Sequence, residues 1–458
     1  MCLSISGKRD PQQLALHYYR SGEPSEDIQG MTAYMARMEC YNCITDTLGY
    51  LMNASVSHPQ APSIPKGPGP PPTPDPSILN ATDAEIYTSE VFKLALKSSD
   101  ELFHVALYDW LFGGNMMDKL LEVQSPFLES YLKRKAGCQT EAVLALDLLW
   151  KYYEKMRNFP AAAKILSKLA ERHGTDVRLQ QRIEYLSRAI MCAKSSTTHI
   201  SSAADGEFLH ELEEKMEVAR LQLQVHKALS KQPASMFECR EALSRLDSDL
   251  LDLTILYEDF ADKFELSECK LAIVHCAGLY DVSLVESLWR SIIDKEILST
   301  GAMDQNARVT NLHCKLSSIG KLYIKTDRYF PSAFLIKYLE QRSCELGLNT
   351  RWVFMLMLET GFPPPRVLEI YDRLFKSKDP FWQTIQKPLR LLEVLCELLS
   401  HLVANPDQIP VYERRLFTTV CLDAIASYLV ELQAMISTES HIRLINQFKR
   451  LQSELERS

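Results

Sequence analysis

Histidine, cysteine and carboxylate side chains carry most enzymatic chemistry, so their spacing comes first. Cys40 and Cys43 stand three residues apart, the only metal-like spacing in the chain. No second cysteine pair follows at zinc-ribbon distance. Inside a helical run such a pair shares one face and packs, so neither zinc nor redox chemistry is expected. His275 and Cys276 adjoin, with Cys269 seven residues earlier. A Cys–His nucleophile is conceivable there. Seven residues are two helical turns, however, so both thiols face the same way, as core positions do. His210-Glu211 opens a zinc-peptidase-like motif, but Leu212, Glu213 and Glu214 follow and the second imidazole is missing. Glu211, Glu213, Glu214 and Glu217, interspersed with Lys215 and Arg220, read as a solvated helix face. No Gly-x-x-x-x-Gly-Lys-Ser/Thr loop and no Gly-x-Ser-x-Gly elbow occurs. Gly67-Pro68-Gly69 cannot cradle phosphate, because proline lacks the amide donor. The residues thus predict no catalytic, cofactor or metal site.

The elements that would position such residues are helices. Glycine is scarce at 16 of 458 residues, while apolar residues make up 46% and charged residues 24%. A packed core is possible and wholesale disorder is not. The net charge of −8 disfavours a phosphate-tracking groove as the main function, so no direct nucleic-acid partner is expected. The short basic run Lys133-Arg134-Lys135 reads as a helix C-terminus, where the dipole favours cations. Cys192, Cys269, Cys276, Cys396 and Cys421 lie in apolar runs. They read as reduced, buried thiols of a cytosolic or nuclear protein. No uncharged apolar stretch reaches the ~20 residues that span a bilayer.

Helix punctuation recurs. Asp10-Pro11 and Ser125-Pro126 are start signals. Gly113, Gly137 and Gly174 are expected to close helices in the left-handed conformation. Val143, Leu146, Leu149, Tyr153 and Met156 line one helical face. After a break at Asn158-Phe159-Pro160, Ala162, Ile165, Leu166, Leu169 and Ala170 line a second. Further helices are predicted over 25–56, 84–98, 100–112, 176–194, 206–230, 248–263, 265–278, 282–297, 302–325, 331–346, 364–377, 380–403 and 410–436. Helices of ~12–20 residues need neighbours. The fold class is therefore all-α, an irregular α-solenoid of stacked antiparallel helix pairs, with a compact multi-bundle as the competing arrangement. From Pro59 to Pro76, nine of eighteen residues are proline, so this stretch is expected to be an exposed loop. The predicted divisions are 1–58, N-terminal helices; 59–82, the proline-rich loop; 83–194, hairpins; 195–205, a weak linker; and 206–458, the C-terminal helices.

The helix 100–112 carries two apolar stripes. Phe103 and Trp110 lie within about 20° of each other, with Leu107 beside them. Val105, Tyr108 and Phe112 lie on the far side. Either the helix is central and packed on both sides, or those three residues line a groove for an apolar partner segment.

Five stretches, in order, carry a family resemblance. They are Gly7-Lys-Arg-Asp-Pro-Gln12, Asp147-Leu-Leu-Trp-Lys-Tyr-Tyr-Glu-Lys155, Asp205-Gly-Glu-Phe-Leu-His-Glu-Leu-Glu-Glu-Lys-Met-Glu-Val-Ala-Arg220, Glu268-Cys-Lys-Leu-Ala-Ile-Val-His-Cys-Ala-Gly278 and Arg373-Leu-Phe-Lys-Ser-Lys-Asp-Pro-Phe-Trp382. From about Ser6 to Leu432 the chain resembles the C-terminal α-solenoid region of the vertebrate 155-kilodalton inner-ring scaffold nucleoporins, the non-repetitive nucleoporin family. The resemblance implies a non-enzymatic scaffold of the nuclear pore complex at the nuclear envelope, supporting protein import and mRNA export. It implies other nucleoporins as partners, especially short linear segments of linker nucleoporins. Family members carry an N-terminal β-propeller, the part associated with the membrane. This chain has none, so it is expected to be a fragment or truncated product without membrane insertion. A helical adaptor of another large assembly, of coat or proteasome-lid type, is the alternative that periodicity alone leaves open.

Overall fold

The computed structural model describes residues 10–56, 79–138, 140–196, 203–232, 237–434 and 439–457. The proline-rich segment and most of the predicted 195–205 linker lie outside them. Among the described residues all regular structure is helical, and the fold is the expected irregular α-solenoid of stacked helix pairs. The chain divides into two compact units, Met1–Ala219 with Ser244–Leu250, and Arg220–Leu243 with Leu251–Ser458.

The first eleven helices are α1 (Pro11–Arg20), α2 (Ile28–Val56), α3 (Ala81–Leu96), α4 (Glu101–Gly113), α5 (Met117–Glu122), α6 (Leu128–Lys135), α7 (Ala142–Lys155), α8 (Phe159–Ala170), α9 (Leu179–Ser196), α10 (Ala203–Ser230) and α11 (Phe237–Ser248). In the first unit α2 packs on α1, α3 and α4, and α6 to α9 pack each on the next. Starts follow the capping rule. Asp10 and Asn158 accept the amides of Gln12 and Ala161, each with proline just inside the helix. Ser125 caps differently from expectation. Its hydroxyl accepts the Phe127 amide in a turn, and α6 begins only at Leu128. Of the three glycines expected to be left-handed, only Gly174 is, at φ +116°. Gly113 is still helical, and Gly137 sits in the turn after α6. Lys133, Arg134 and Lys135 do close α6. Each pairs with a carboxylate, Glu129, Glu23 and Asp109 respectively.

The remaining helices are α12 (Leu253–Ile255), which continues as a π-helix over Leu256–Asp262, α13 (Ser267–Cys276), α14 (Val282–Ser299), α15 (Gln305–Tyr323), α16 (Ser332–Glu345), α17 (Trp352–Thr360), α18 (Pro364–Lys376), α19 (Phe381–Thr384), α20 (Arg390–Ala404), α21 (Arg414–Ala434) and α22 (Glu439–Arg457). In the second unit contacts run between neighbours and next neighbours. α14 meets α13, α15 and α16; α18 meets α16, α17 and α20; α22 closes on α20 and α21. That is how stacked hairpins bury both sides of each layer. Trp289, Phe354, Tyr371, Tyr428 and Phe448 are among its largest fully buried side chains.

A buried polar cluster joins four of these helices. Glu340 of α16 is fully buried, and its Oε1 accepts the Tyr371 hydroxyl of α18 at 2.7 Å. Arg390 of α20 stands 3.8 Å from Oε2 and donates to Ser343 Oγ and to the Leu348 and Asn349 carbonyls. Ser343 Oγ in turn accepts from the Trp352 indole at 2.9 Å. Burial pushes the Glu340 carboxyl up to about 7, against the opposing pull of Tyr371 and Arg390. The folded chain thus holds a proton here that the unfolded chain has released above its ordinary value of 4.5. The stabilisation is full below that value and is lost as pH rises through about 7. Melting temperatures of the wild type should fall from acid toward mildly alkaline pH by more than those of Glu340→Gln. Equal slopes in the two proteins would contradict the protonated Glu340.

Candidate partner-binding surfaces

The partner groove expected along α4 is filled by the protein itself. Asp100 caps the helix through the Leu102 amide. Val105, Tyr108 and Phe112 are all buried, Tyr108 completely. The Tyr108 hydroxyl meets His104 Nδ1 at 3.1 Å, and His104 Nε2 meets the Ser98 carbonyl at 2.7 Å. The carbonyl can only accept, so Nε2 carries the proton and Nδ1 accepts from Tyr108. Tyr131 of α6 stacks edge-on against Tyr108, and the Lys135 ammonium lies 5.6 Å from the Phe112 ring. Val105 is among the residues that line a cleft of about 350 Å³, with Arg134 and Arg20. On the opposite face Phe103 packs edge-on against Tyr41 of α2, and Leu107 is fully buried. The two stripes exist because α4 is sandwiched between α2 and α6. Trp110, read as core, is only half-buried.

The candidate reactive groups do not converge. Cys269 is buried, and burial pushes its thiol up to about 12, which opposes a nucleophilic thiolate. Cys276 is half-buried rather than facing the core with Cys269. The His275 ring packs edge-on against Tyr323 and Tyr329. His210 faces Glu214 on an exposed helix surface. Cys40 and Cys43 are both exposed, so they do not pack as expected. Among the described residues no group of three or more His, Cys, Asp or Glu side chains is placed to hold a metal.

What the second unit does offer is apolar surface near its C-terminal helices. α21 buries Phe417, Cys421, Ile425, Tyr428 and Leu432, a stripe at steps of three and four. Tyr428 also donates to Asp372 of α18 at 3.0 Å. Leu416, Val420 and Val430 lie on the other side, with Leu416 71% and Val430 67% exposed. Among the described residues α21 is the one helix with the length and hydropathy of a membrane-crossing helix, a property of composition alone. A pocket of about 680 Å³ opens beside it, lined by Leu399, Leu402, Val403, Ile409 and Phe417, with Arg414 and Arg415 also at its wall. The signal was present in the sequence. The 410–436 segment carries a second apolar stripe, the same doubling that singled out α4, but here only one of the two is covered.

The burial of α4 makes a direct forecast. Tyr108→Glu with Phe112→Glu should abolish the cooperative melting of the first unit, because each unpaired buried carboxylate costs at least about 3 kcal/mol. A double variant that keeps wild-type helicity and melting would restore the groove.

Comparison with known proteins agrees with the fold and the sequence stretches. The non-repetitive/WGA-negative nucleoporin C-terminal family matches residues 1–442. Nuclear pore complex protein Nup154 of Drosophila melanogaster is 32% identical over 458 residues, covering 99% of this chain and 32% of that protein. The crystal structure of a mutant Chaetomium thermophilum Nup170 CTD superposes with a TM-score of 0.77 at 21% identity, over 97% of this chain and 84% of that one. The same domain crystallised as a complex with Nup145N gives 0.70 at 21% identity, over 97% and 85%. The chain spans about a third or less of the length of the curated relatives it matches. With the family match covering nearly the whole chain, this protein belongs to the non-repetitive/WGA-negative nucleoporins and corresponds to their C-terminal region.

Proposed function

We propose that the chain is a structural scaffold segment of the nuclear pore complex, non-enzymatic, that holds short linear segments of linker nucleoporins at the nuclear envelope. Through that role it would support nucleocytoplasmic transport. The observation that carries this reading is the family match over 1–442. The helical solenoid supports it, because stacked helix pairs offer long surfaces and several grooves without any catalytic centre. The Nup170 CTD crystallised with Nup145N supports the linker-binding part. The exposed apolar face of α21 and the pocket beside it supply surface of the kind that linear apolar segments cover.

Two measurements on the whole chain test the reading. A fluorescently tagged chain in cells should give a nuclear rim, and the purified chain should comigrate with a recombinant linker nucleoporin of the same organism on size exclusion. Leu416→Glu with Val420→Glu, both at exposed positions, should weaken that comigration without changing the melting temperature. A diffuse or vesicular distribution together with no comigration would contradict the pore assignment and favour an adaptor of another assembly.

A further inference from the structure

The second unit contains a groove of about 630 Å³ that none of the preceding roles uses. One wall is the C-terminal part of α10. Arg220, Leu223, Gln224, Lys227, Ala228 and Lys231 recur at steps of one and three, which places them on one helix face. The other wall comes from α13, α14 and α15, with Leu266 and Ile292 as its aliphatic part.

Five cations and three glutamates line this groove, in a chain of net charge −8. Two of the cations are already answered by the far wall. Lys315 Nζ lies 2.7 Å from Glu268 Oε1, and Lys295 donates to the Glu265 carbonyl. Among the described residues, Arg220, Lys227 and Lys231 have neither an ion pair nor a side-chain hydrogen bond. All three sit on the α10 wall. The groove therefore has an unanswered cationic wall on α10, and a far wall on which Leu266 and Ile292 sit among Glu265, Glu268 and Glu296.

The spacing selects the ligand. Arg220 to Lys231 is eleven residues, about 16 Å along a helix at about 1.5 Å per residue. A single phosphate group cannot meet charges spread that far. An extended peptide covers the same length in about five residues and sends alternate side chains to opposite sides. Carboxylates at every second position would face α10, and aliphatic side chains between them would face Leu266 and Ile292.

We propose that this groove binds an extended peptide segment in which acidic and aliphatic residues alternate. The recognition depends on the charge and shape of the groove and stands whether or not the chain works in a pore.

The test uses the whole chain and a fluorescein-labelled octapeptide alternating glutamate and leucine, read by fluorescence anisotropy. Binding is expected, and it should weaken as salt is raised. Lys227→Glu with Lys231→Glu should weaken it by about tenfold or more, with an unchanged melting temperature because both side chains are exposed. An octapeptide with serine in place of leucine should also bind about tenfold more weakly. Absence of binding, or equal binding by the charge-reversed chain, would overturn the proposal. So would a serine octapeptide or inorganic polyphosphate binding as tightly as the leucine octapeptide, since the groove would then be a general polyanion site.

Discussion

A fold assembled from stacked helices must find donors for the carbonyls that every helix end leaves over. In the first unit one side chain meets that demand at two of these ends. Arg182 of α9 is fully buried. Its guanidinium donates to the carbonyls of Ala170, the last residue of α8, and of Arg172 and Gly174 just beyond it, and to those of Asp247 and Ser248 at the end of α11. Burial pulls its pKa down from the ordinary value, while Asp249 and Asp247 oppose that pull. The planar fork suits the task, because it satisfies several carbonyls at once from one buried position. The α8–α9 turn and the end of α11 are tied together through it, and the left-handed Gly174 lets the chain make that turn. Arg390 does similar work in the second unit, where it reaches the carbonyls of Leu348 and Asn349.

How much of this could be read from the sequence depends on what each helix touches. Helices with one covered face were legible. The α7–α8 hairpin appears where the spacing put it, with Leu146, Leu149, Leu166 and Leu169 buried, although Met156 falls outside α7 and is exposed. α17 was missed for the opposite reason. Trp352-Val-Phe-Met-Leu-Met-Leu358 is apolar nearly all round, so it has no period to detect. The predicted helix 380–403 is two helices, because Pro388 disfavours helical geometry at Lys387 and Gln386 turns left-handed at φ 59°. The predicted 248–263 begins later, at Leu253, where Asp252 caps it. α22 was legible and unread. Its buried His441, Leu444, Phe448, Leu451 and Leu455 follow helical steps faithfully.

The candidate surfaces were less legible, because an apolar stripe does not say what covers it. α4 and α21 both carry two stripes. The second stripe of α4 is closed by Tyr131 and Lys135 from α6, whereas that of α21 leaves Leu416 and Val430 in solvent. Nor does a charged helix reveal which cations stay unanswered. The acidic run of α10 reads as an ordinary solvated face, as Lys215 between Glu211 and Glu171 confirms. One turn further, the same helix presents the unmatched Arg220, Lys227 and Lys231 to a groove. Charge pairing is a tertiary property, and it appears only once the neighbouring helices are in place.

Buried guanidinium groups, by satisfying turn carbonyls, hold the helix pairs in register. Urea unfolding of Arg182→Met tests it most directly, because methionine keeps much of the apolar stem and removes every donor. The unfolding transition of the first unit should lose at least about 3 kcal/mol, since several carbonyls are left without donors. A loss within about 0.5 kcal/mol, the range of an ordinary surface substitution, would contradict it.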